Sequence, residues 1–345
     1  MIEVFSTRPI RVHGRTGRAV NPDTPIEEER RVSELEKRPL GRTGMDVTVL
    51  GFGAMELRGT SHRRPVPMEP GQATKVLNGV LDAGINFVDT SIDYGSSEAE
   101  IGSAIAHRRD EFFLASKAGC PVNAERFANA EPGPLPHNYS RDNIRAGIEQ
   151  SLERLKTDHL DLLQLHISPS LSTIENDGVI ETLLTLKQEG KTRFIGSSST
   201  IPNISDHIKM QTFDAFQIPY SLLERDHEDA INWAHDDGAG VIVRGGVAKG
   251  GPRQILPGRK NVWELWDAEG LDDLLDPGQT RVEFALRFTI SHPGMSTTIV
   301  GTSNPEHLAA NVAAALKGPL SSDVYEETKR RLGSAGEVPV ELARD

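Results

Sequence analysis

The sequence predicts an α/β protein of the (β/α)8 TIM-barrel class, with long loops at the C-terminal face of the strands. Short apolar runs alternate with runs of helical length and spacing, which indicates repeated βαβ units and a parallel sheet. Eight strand-like runs over 345 residues favour a closed barrel. An open, doubly wound sheet is the alternative, but no Gly-x-Gly-x-x-Gly opens a helix after the first strand.

The strand-like runs are short and apolar, and most are bounded by polar or turn-forming residues. They are residues 47–50, 86–88, 112–115, 160–165, 194–195, 215–218, 241–243 and 298–300. Helical spacing is found at residues 72–83, 98–106, 141–155, 179–188, 227–235, 281–290 and 305–315. Two of these helices run into a glycine, at Gly84 and Gly190, which is typical of helix ends.

The chain divides into three segments by composition. Residues 1–37 are polar, charged and proline-containing, and we expect a loosely attached N-terminal extension. Residues 38–318 carry the barrel pattern, and residues 319–345 hold a short helix at 321–332 and a polar tail. The connections 118–140 and 244–279 are longer than a barrel needs, and each follows a strand. We expect both at the catalytic mouth, as lids or specificity walls.

Composition excludes several classes of function. Lys and Arg total 38 against 50 Asp and Glu, and a net charge of -12 argues against nucleic acid as a partner. The one cysteine, Cys120, excludes an intramolecular disulfide and indicates a reducing compartment. No run approaches the ~18 apolar residues of a membrane span. We expect a cytoplasmic protein with a small-molecule partner; the sequence does not set its oligomeric state.

Four polar side chains stand at or just beyond three predicted strands. Asp89 and Tyr94 follow the second strand, Lys117 ends the third and His166 ends the fourth. Each alone is more simply a turn, surface or core residue, but together at one barrel mouth they predict a catalytic site. A tyrosine, whose pKa is about 10, can protonate an oxygen that is becoming an alkoxide.

The other three side chains assist this proton transfer. Lys117 would lower the pKa of Tyr94, Asp89 would keep Lys117 charged, and His166 would orient a carbonyl oxygen. None of the four is a suitable nucleophile, which points to hydride from a nicotinamide.

Motifs in a fixed order connect these residues. They are LGRTG at 40–44, GINFVDT at 84–90, DYG at 93–95, SK at 116–117, DLLQLH at 161–166, GKTRFIGSS at 190–198, QIPYSLL at 217–223 and IVGTSNP at 299–305. In this order and spacing the chain resembles the aldo-keto reductases over residues 38–316. The resemblance implies a (β/α)8 barrel and a catalytic tetrad of Asp89, Tyr94, Lys117 and His166.

The resemblance also implies a dinucleotide site. The amide of its nicotinamide would contact residues after the fifth and sixth strands. Its phosphates would contact the loop after the seventh strand and the helix start at 301–305, where free N–H groups suit an anion. The implied contacts are Ser198, Ser199, Gln217, Arg244, Gly301, Thr302, Ser303, His307 and Asn311.

Three positions depart from the family pattern and bear on cofactor choice. Ser199 replaces the usual asparagine, and the run from Val243 to Gly246 replaces an aromatic-Ser-Pro sequence. His307 stands where many members place an Arg or Lys near the 2′-phosphate. NADPH is the family's usual cofactor and is expected here, with NADH as the alternative.

The substrate would be an aldehyde, ketone or sugar, reduced to an alcohol or formed in the reverse direction, with Tyr94 as the proton donor. A non-catalytic cofactor-binding subunit on the same barrel is the alternative. We expect Met55, Leu57, Trp263 and Trp266 to line the pocket, although the two tryptophans could equally pin their loop. We expect Cys120 to be a bystander thiol. No metal site is predicted, because no His, Asp or Glu cluster has ligand spacing.

Overall fold

The computed structural model describes residues 34–59, 68–122, 137–248 and 262–344. The described chain begins with a hairpin of two antiparallel strands, β1 (Lys37–Pro39) and β2 (Asp46–Thr48). The extension predicted for residues 1–37 lies almost wholly outside these residues, and the predicted segment boundaries stay a prediction.

Eight parallel strands close into a barrel in chain order within the described residues. They are β3 (Leu50–Gly53), β4 (Phe87–Asp89), β5 (Phe113–Ala118), β6 (Leu160–Leu165), β7 (Thr192–Ser198), β8 (Ala215–Pro219), β9 (Gly240–Arg244) and β10 (Thr297–Val300). The last strand pairs with the first, Val300 opposite Phe52, and so closes the ring. The closed barrel confirms the predicted fold class and removes the open sheet.

Helices separate the strands and form the outer layer. They are α1 (Gln72–Asp82), α2 (Ser97–Ala104), α3 (Arg141–Leu155), α4 (Leu171–Asn176), α5 (Val179–Gln188), α6 (Ile204–Lys209), α7 (Glu228–Asp236), α8 (Trp263–Ala268), α9 (Arg281–Ile290), α10 (Pro305–Leu316) and α11 (Ser322–Ser334). The helix α6 was not predicted, because six residues are too few to show a helical period. Among the described residues, no helix is long and apolar enough to cross a bilayer.

One predicted strand is wrong in its limits. The run 47–50 straddles two elements: Thr48 ends β2, and the barrel strand starts at Leu50. The apolar pattern continues across this break because Val47, Val49 and Leu50 are all buried. Asn86 interrupts the pairing by accepting the N–H of Thr48 through Oδ1 at 2.8 Å.

The hairpin fills the amino-terminal end of the barrel. Leu40, Met45 and Val47 are at most 1% exposed and join the inward-facing Phe87, Ala115, Leu162, Ala215 and Ile242 in one apolar cluster. Burying each of the larger aliphatic side chains contributes roughly 2 kcal/mol. Arg42 ties the turn to the barrel by donating to the carbonyls of Phe213 at 2.7 Å and Asp237 at 3.0 Å. The motif at 40–44 is therefore structural.

We call this apolar cluster the floor of the barrel, and a polar layer lies above it. Side chains two apart on a strand share a face, so each floor residue predicts which later residue also points inward. On five strands the inward residue two positions on is polar. The pairs are Phe87 and Asp89, Ala115 and Lys117, Leu162 and Gln164, Ala215 and Gln217, and Ile242 and Arg244. This alternation gathers polar side chains at the carboxyl-terminal mouth.

Candidate active site

Asp89 is the centre of the polar layer. Its Oδ1 accepts from Lys117 in a close ion pair and from the amide nitrogens of Gln164 and Gln217, each at 2.9 Å. Lys117 also donates to the carbonyl of Thr90 at 3.0 Å. Because Asp89 and Lys117 are each only 1% exposed, the ammonium depends on this carboxylate for its charge balance.

Gln164 is a site residue that the sequence analysis missed. It lies in the motif at 161–166, and the motif drew attention only through His166. The signal that could have found it is the period of two on β6, which puts residues 162, 164 and 166 on one face.

Tyr94 lies in the turn between β4 and α2. Its N–H donates to the carbonyl of Ser91 at 3.1 Å, and its carbonyl accepts from Ser97 N–H at 3.0 Å. The ring meets the imidazole of His166 edge-on, with centroids 6.0 Å apart. The turn thus fixes the phenol beside the histidine.

The pKa of Tyr94 departs from the sequence prediction. Burial raises it well above the usual value, with further increases from Asp89, Asp93 and Cys120. Among the charges with the largest effects on this pKa, that of Arg244 lowers it, and the predicted effect of Lys117 stays a prediction. The ammonium of Lys117 is paired with Asp89, whereas Arg244 is the inward residue that follows Ile242 on β9.

His166 directly follows β6 and is held on both sides of its backbone. Its N–H donates to the carbonyl of Ala118 at 3.0 Å, and its carbonyl accepts a close hydrogen bond from the hydroxyl of Tyr139. Burial lowers the pKa of His166 to about 3, so the imidazole is neutral near pH 7. Its Nδ1 faces three polar groups, and among the described residues its Nε2 has no hydrogen-bond partner.

The groups around Nδ1 were not predicted to lie together. They are the Sγ of Cys120 at 3.2 Å, the Nε2 of His137 at 3.3 Å and the Oδ2 of Asp93 at 3.6 Å. Sequence spacing predicts no such cluster because each residue comes from a different segment of the chain. Cys120 has no exposed surface.

The side chains of the two predicted serine contacts point in opposite directions, because successive residues of a strand alternate between its faces. Ser198, which points inward, donates to Oε1 of Gln217 at 3.1 Å. Ser199 is wholly buried, and its hydroxyl contacts Nδ1 of His207 and the hydroxyl of Ser197, both at 2.6 Å. One residue of offset turns the side chain of Ser199 toward α6 and away from Ser198, so its contact with a nicotinamide stays a prediction that this hydrogen bonding does not favour.

Arg244 ends β9 and is half-buried. Its charge interacts with those of Tyr94, Glu224 and Asp89, and burial lowers the pKa of the guanidinium. Among the described residues, no hydrogen bond or ion pair occupies its five N–H groups. It is a cation placed beside the tyrosine and available to an anion.

The start of α10 has the features of an anion site. Asn304 caps the helix by accepting the N–H of Glu306 at 2.9 Å, and Pro305 occupies the first turn. Thr302 accepts the N–H of Asn304 at 3.0 Å, and the carbonyl of Ser303 accepts from Gln72 at 2.7 Å. These contacts fix the loop.

The helix itself presents two of the predicted contacts to solvent. His307 is exposed on its first turn, and Asn311 is half-buried one turn further along. At the end of β10, Gly301 packs so closely that an added Cβ would stand 2.5 Å from the carbonyl oxygen of Gly53.

Of the four predicted pocket residues, only Met55 is half-buried. Leu57 has no exposed surface and belongs to the main core, because the 3-10 helix Ala54–Leu57 turns it inward. Trp263 and Trp266 are also core residues, at 3% and 0% exposed. This burial favours a core role for Leu57 and the loop-pinning alternative for both tryptophans, and their place in the pocket stays a prediction.

The two tryptophans pin their segment to the protein. Their rings lie 5.5 Å apart, and Trp266 packs edge-on against Phe284 at 5.4 Å. Trp263 donates to the carbonyl of Ala248 at 3.3 Å, and Trp266 to Asp272 at 2.8 Å.

Comparison with known proteins agrees with this architecture. A family model described as "Aldo/keto reductase family" matches residues 49–331. The chain is 32% identical to the uncharacterized oxidoreductase YqkF of Bacillus subtilis, covering 81% of this chain and 91% of that one. It is 29% identical to the L-galactose dehydrogenase of Arabidopsis thaliana, covering 82% and 89%. Among solved structures, the holo form of an aldo-keto reductase from Bacillus halodurans superimposes with a TM-score of 0.75 at 28% identity, covering 90% of this chain and all of that one.

Proposed function

Since the chain belongs to the aldo/keto reductase family of NAD(P)(H)-dependent oxidoreductases, we propose that it interconverts a carbonyl compound and its alcohol, with Tyr94 as the proton donor. The substrate would be an aldehyde, ketone or sugar. The observation that carries the proposal is the buried pair of Asp89 and Lys117 at the barrel mouth where Tyr94 and His166 meet.

The chemistry assigned to the side chains follows from their surroundings. Tyr94 is a protonated phenol at physiological pH and gives its proton to the oxygen as negative charge develops there. The positive charge of Arg244 stabilises the phenolate that remains. His166 is a neutral imidazole, so it orients the carbonyl through a hydrogen bond from Nε2 rather than through charge.

The residues at the mouth suit a nicotinamide dinucleotide. When bound, the cofactor supplies or accepts the hydride. Ser198 and Gln217 offer hydroxyl and amide groups to a carboxamide, and the start of α10 offers N–H groups and a helix dipole to phosphate. At Gly301 an added Cβ would overlap the carbonyl oxygen of Gly53, so the close approach of β10 to β3 at the mouth requires glycine.

We propose NADPH as the cofactor, with NADH as the alternative. His307 is exposed on the first turn of α10, and its imidazole can donate a hydrogen bond to a 2′-phosphate, with Asn311 towards the adenine. A histidine carries less positive charge than an arginine near neutral pH, so its preference for the phosphorylated cofactor would be weaker.

Arg244 gives the substrate proposal more detail. It lies beside Tyr94, where the proton is transferred, and no described residue satisfies its guanidinium. Arginine binds carboxylate and phosphate through two parallel hydrogen bonds. We therefore propose that Arg244 contacts an anionic group of the substrate near its carbonyl.

Replacing the tyrosine tests the proposal. We expect Tyr94→Phe to fold and to bind the dinucleotide, while carbonyl reduction falls by about 10²-fold or more, the usual contribution of a general acid. The measurement is the loss of NADPH absorbance over a panel of aldehydes, ketones and sugars, with cofactor affinity measured by fluorescence.

Tyr325→Phe is the matched control. Tyr325 is a buried tyrosine of α11 that packs against Phe288 at 4.8 Å, and the same change there should leave turnover intact. Near-native turnover by Tyr94→Phe would show that another group supplies the proton. Cofactor binding without turnover on any carbonyl by the unmodified protein would favour the non-catalytic subunit.

A further inference from the structure

Four potential metal ligands meet at the barrel mouth, and we call them the mouth cluster. They are Asp93, Cys120, His137 and His166, and one ligand atom from each lies within 4.8 Å of the others. Asp93 follows β4, Cys120 follows β5 and His166 follows β6. His137 comes from the connection that returns to α3.

The Nδ1 atom of His166 is shared by more partners than hydrogen bonding can satisfy. A thiol sulfur, an imidazole nitrogen and a carboxylate oxygen stand 3.2, 3.3 and 3.6 Å from it. One ring nitrogen either donates one proton or accepts through one lone pair, so at most one of these contacts is a good hydrogen bond at a time. A cation between the four atoms would satisfy all of them together.

Three of the six spacings among these atoms fit a tetrahedral zinc site, and all six lie within 4.8 Å. Zinc binds nitrogen at about 2.0–2.1 Å, oxygen at about 2.0–2.2 Å and sulfur at about 2.3 Å, which separates neighbouring ligand atoms by about 3.3–3.6 Å. The three distances to Nδ1 lie within a few tenths of an ångström of these separations. The mixture of sulfur, imidazole and carboxylate favours zinc over magnesium or calcium, which take oxygen ligands.

We propose that the mouth cluster binds one divalent transition-metal cation and that zinc is the metal it fits best. The carboxylate of Asp93 and the thiolate of Cys120 together balance a charge of two. The nearby ammonium of Lys117 is already compensated by Asp89.

Neighbouring groups hold the ligands in place. The hydroxyl of Ser91 contacts Oδ1 of Asp93 at 2.5 Å and Sγ of Cys120 at 3.3 Å. The ring of Tyr139 stacks on His137 at 6.2 Å with an interplanar angle of 26°. Outer contacts of this kind orient metal ligands and strengthen binding.

An occupied site would change what His166 offers to the reaction. A metal on Nδ1 leaves the proton on Nε2, so the imidazole becomes a fixed hydrogen-bond donor toward the mouth. The binding itself does not depend on the proposed function, because the cluster exists whether or not Tyr94 donates a proton.

Cobalt(II) is the probe, because its spectrum reports both geometry and ligand type. Titration into the full, tag-free chain should give one equivalent with strong visible bands of a tetrahedral ion and a near-ultraviolet thiolate-to-cobalt band. Because Cys120 is the chain's one cysteine, that band identifies it as a ligand. Zinc should displace the cobalt and should raise the melting temperature.

Variants separate this site from incidental binding. Cys120→Ser should abolish the thiolate band, and His137→Gln should weaken affinity at least about tenfold. His159→Gln, which removes a surface histidine paired with Asp158 at 2.6 Å, should change nothing. Circular dichroism checks that each variant is folded, and His137→Gln decides the test if Cys120→Ser does not fold. The proposal is overturned if the wild type gives no thiolate band, or if both ligand variants bind metal as tightly as it does.

Discussion

At the scale of single residues, Arg244 changes the account of the site most. The sequence presents it as a departure at the end of the seventh barrel strand and as an implied contact of the dinucleotide. In the structure it is half-buried, has no described ion-pair partner and is a cation that lowers the pKa of Tyr94. Under the proposed function, this position would link substrate recognition to proton transfer.

This link predicts a charge-selective effect on substrates. We expect Arg244→Gln to lower kcat/KM for a carboxylate-bearing aldehyde about 10- to 100-fold more than for the same aldehyde with a neutral amide, because a charge-assisted bidentate contact contributes about 1.5–3 kcal/mol. Arg244→Lys should recover part of the lost preference for the carboxylate, because it restores the positive charge but not the pair of parallel hydrogen bonds. Equal losses on both aldehydes, with a raised dissociation constant for the dinucleotide, would place the contact on the cofactor instead.

At the scale of elements, the turn of the amino-terminal hairpin shows how closely the barrel floor is packed. Gly41 has a φ of +51°, and a Cβ there would lie 2.1 Å from the backbone nitrogen of Gly240. Gly44, in the same turn, has a φ of +73° and no atom within 4 Å of its would-be Cβ. The two glycines share a backbone requirement and differ in available space.

The pair therefore separates conformational strain from steric overlap. Gly44→Ala should cost about 1 kcal/mol of unfolding free energy, the usual penalty of a left-handed conformation. Gly41→Ala should cost about 2–4 kcal/mol, because the strand end at Gly240 or the whole hairpin must shift. Urea denaturation measures both, and losses of equal size would show that the hairpin is not tightly seated in the floor.

The elements also differ in how well their site residues could be predicted from the sequence. Asp89, Lys117 and His166 could be recognised because each is a polar residue ending an apolar strand, and strand ends of a parallel barrel converge. The period of two along β6 and β7 predicts both the inward side chain of Gln164 and the outward side chain of Ser199. Sequence spacing could not predict the mouth cluster, since its ligands come from four segments whose approach depends on loop paths. The burial of Leu57 and Trp266 could not be predicted either, because position in a loop does not reveal which way a side chain turns.

At the scale of the whole molecule, buried neutral histidines connect stability to pH. His292 is 2% exposed, and burial lowers its pKa to about 4 from 6.5. Its Nδ1 accepts the N–H of Gly294 at 3.1 Å, and its ring meets Tyr220 edge-on at 5.2 Å. Of the charged groups around it, Glu228 favours protonation, whereas Lys329 and Arg225 oppose it.

The sign of the effect follows from proton binding. Between pH 6.5 and about 4 the unfolded chain protonates His292 and the folded chain does not, so stability falls as the pH falls through this window. In His292→Gln, whose amide oxygen can still accept from Gly294, that fall should be smaller by about 2–3 kcal/mol. Unfolding free energies across the window measure it, with the exposed His107→Gln as control. An unchanged pH slope in His292→Gln would mean that His292 titrates normally in the folded protein.

The apolar and polar layers inside the barrel constrain which insertions and deletions its strands can accept. The apolar layer and the polar layer above it are formed by alternate residues of the same short strands. Deleting one residue within β5 would therefore replace Ala115 and Lys117 by neighbours that normally point to the opposite face. One such change would turn an ammonium toward the helices and leave Asp89 without its partner at the mouth. Length variation in this lineage should therefore accumulate in the connections, while the strands drift only by substitution.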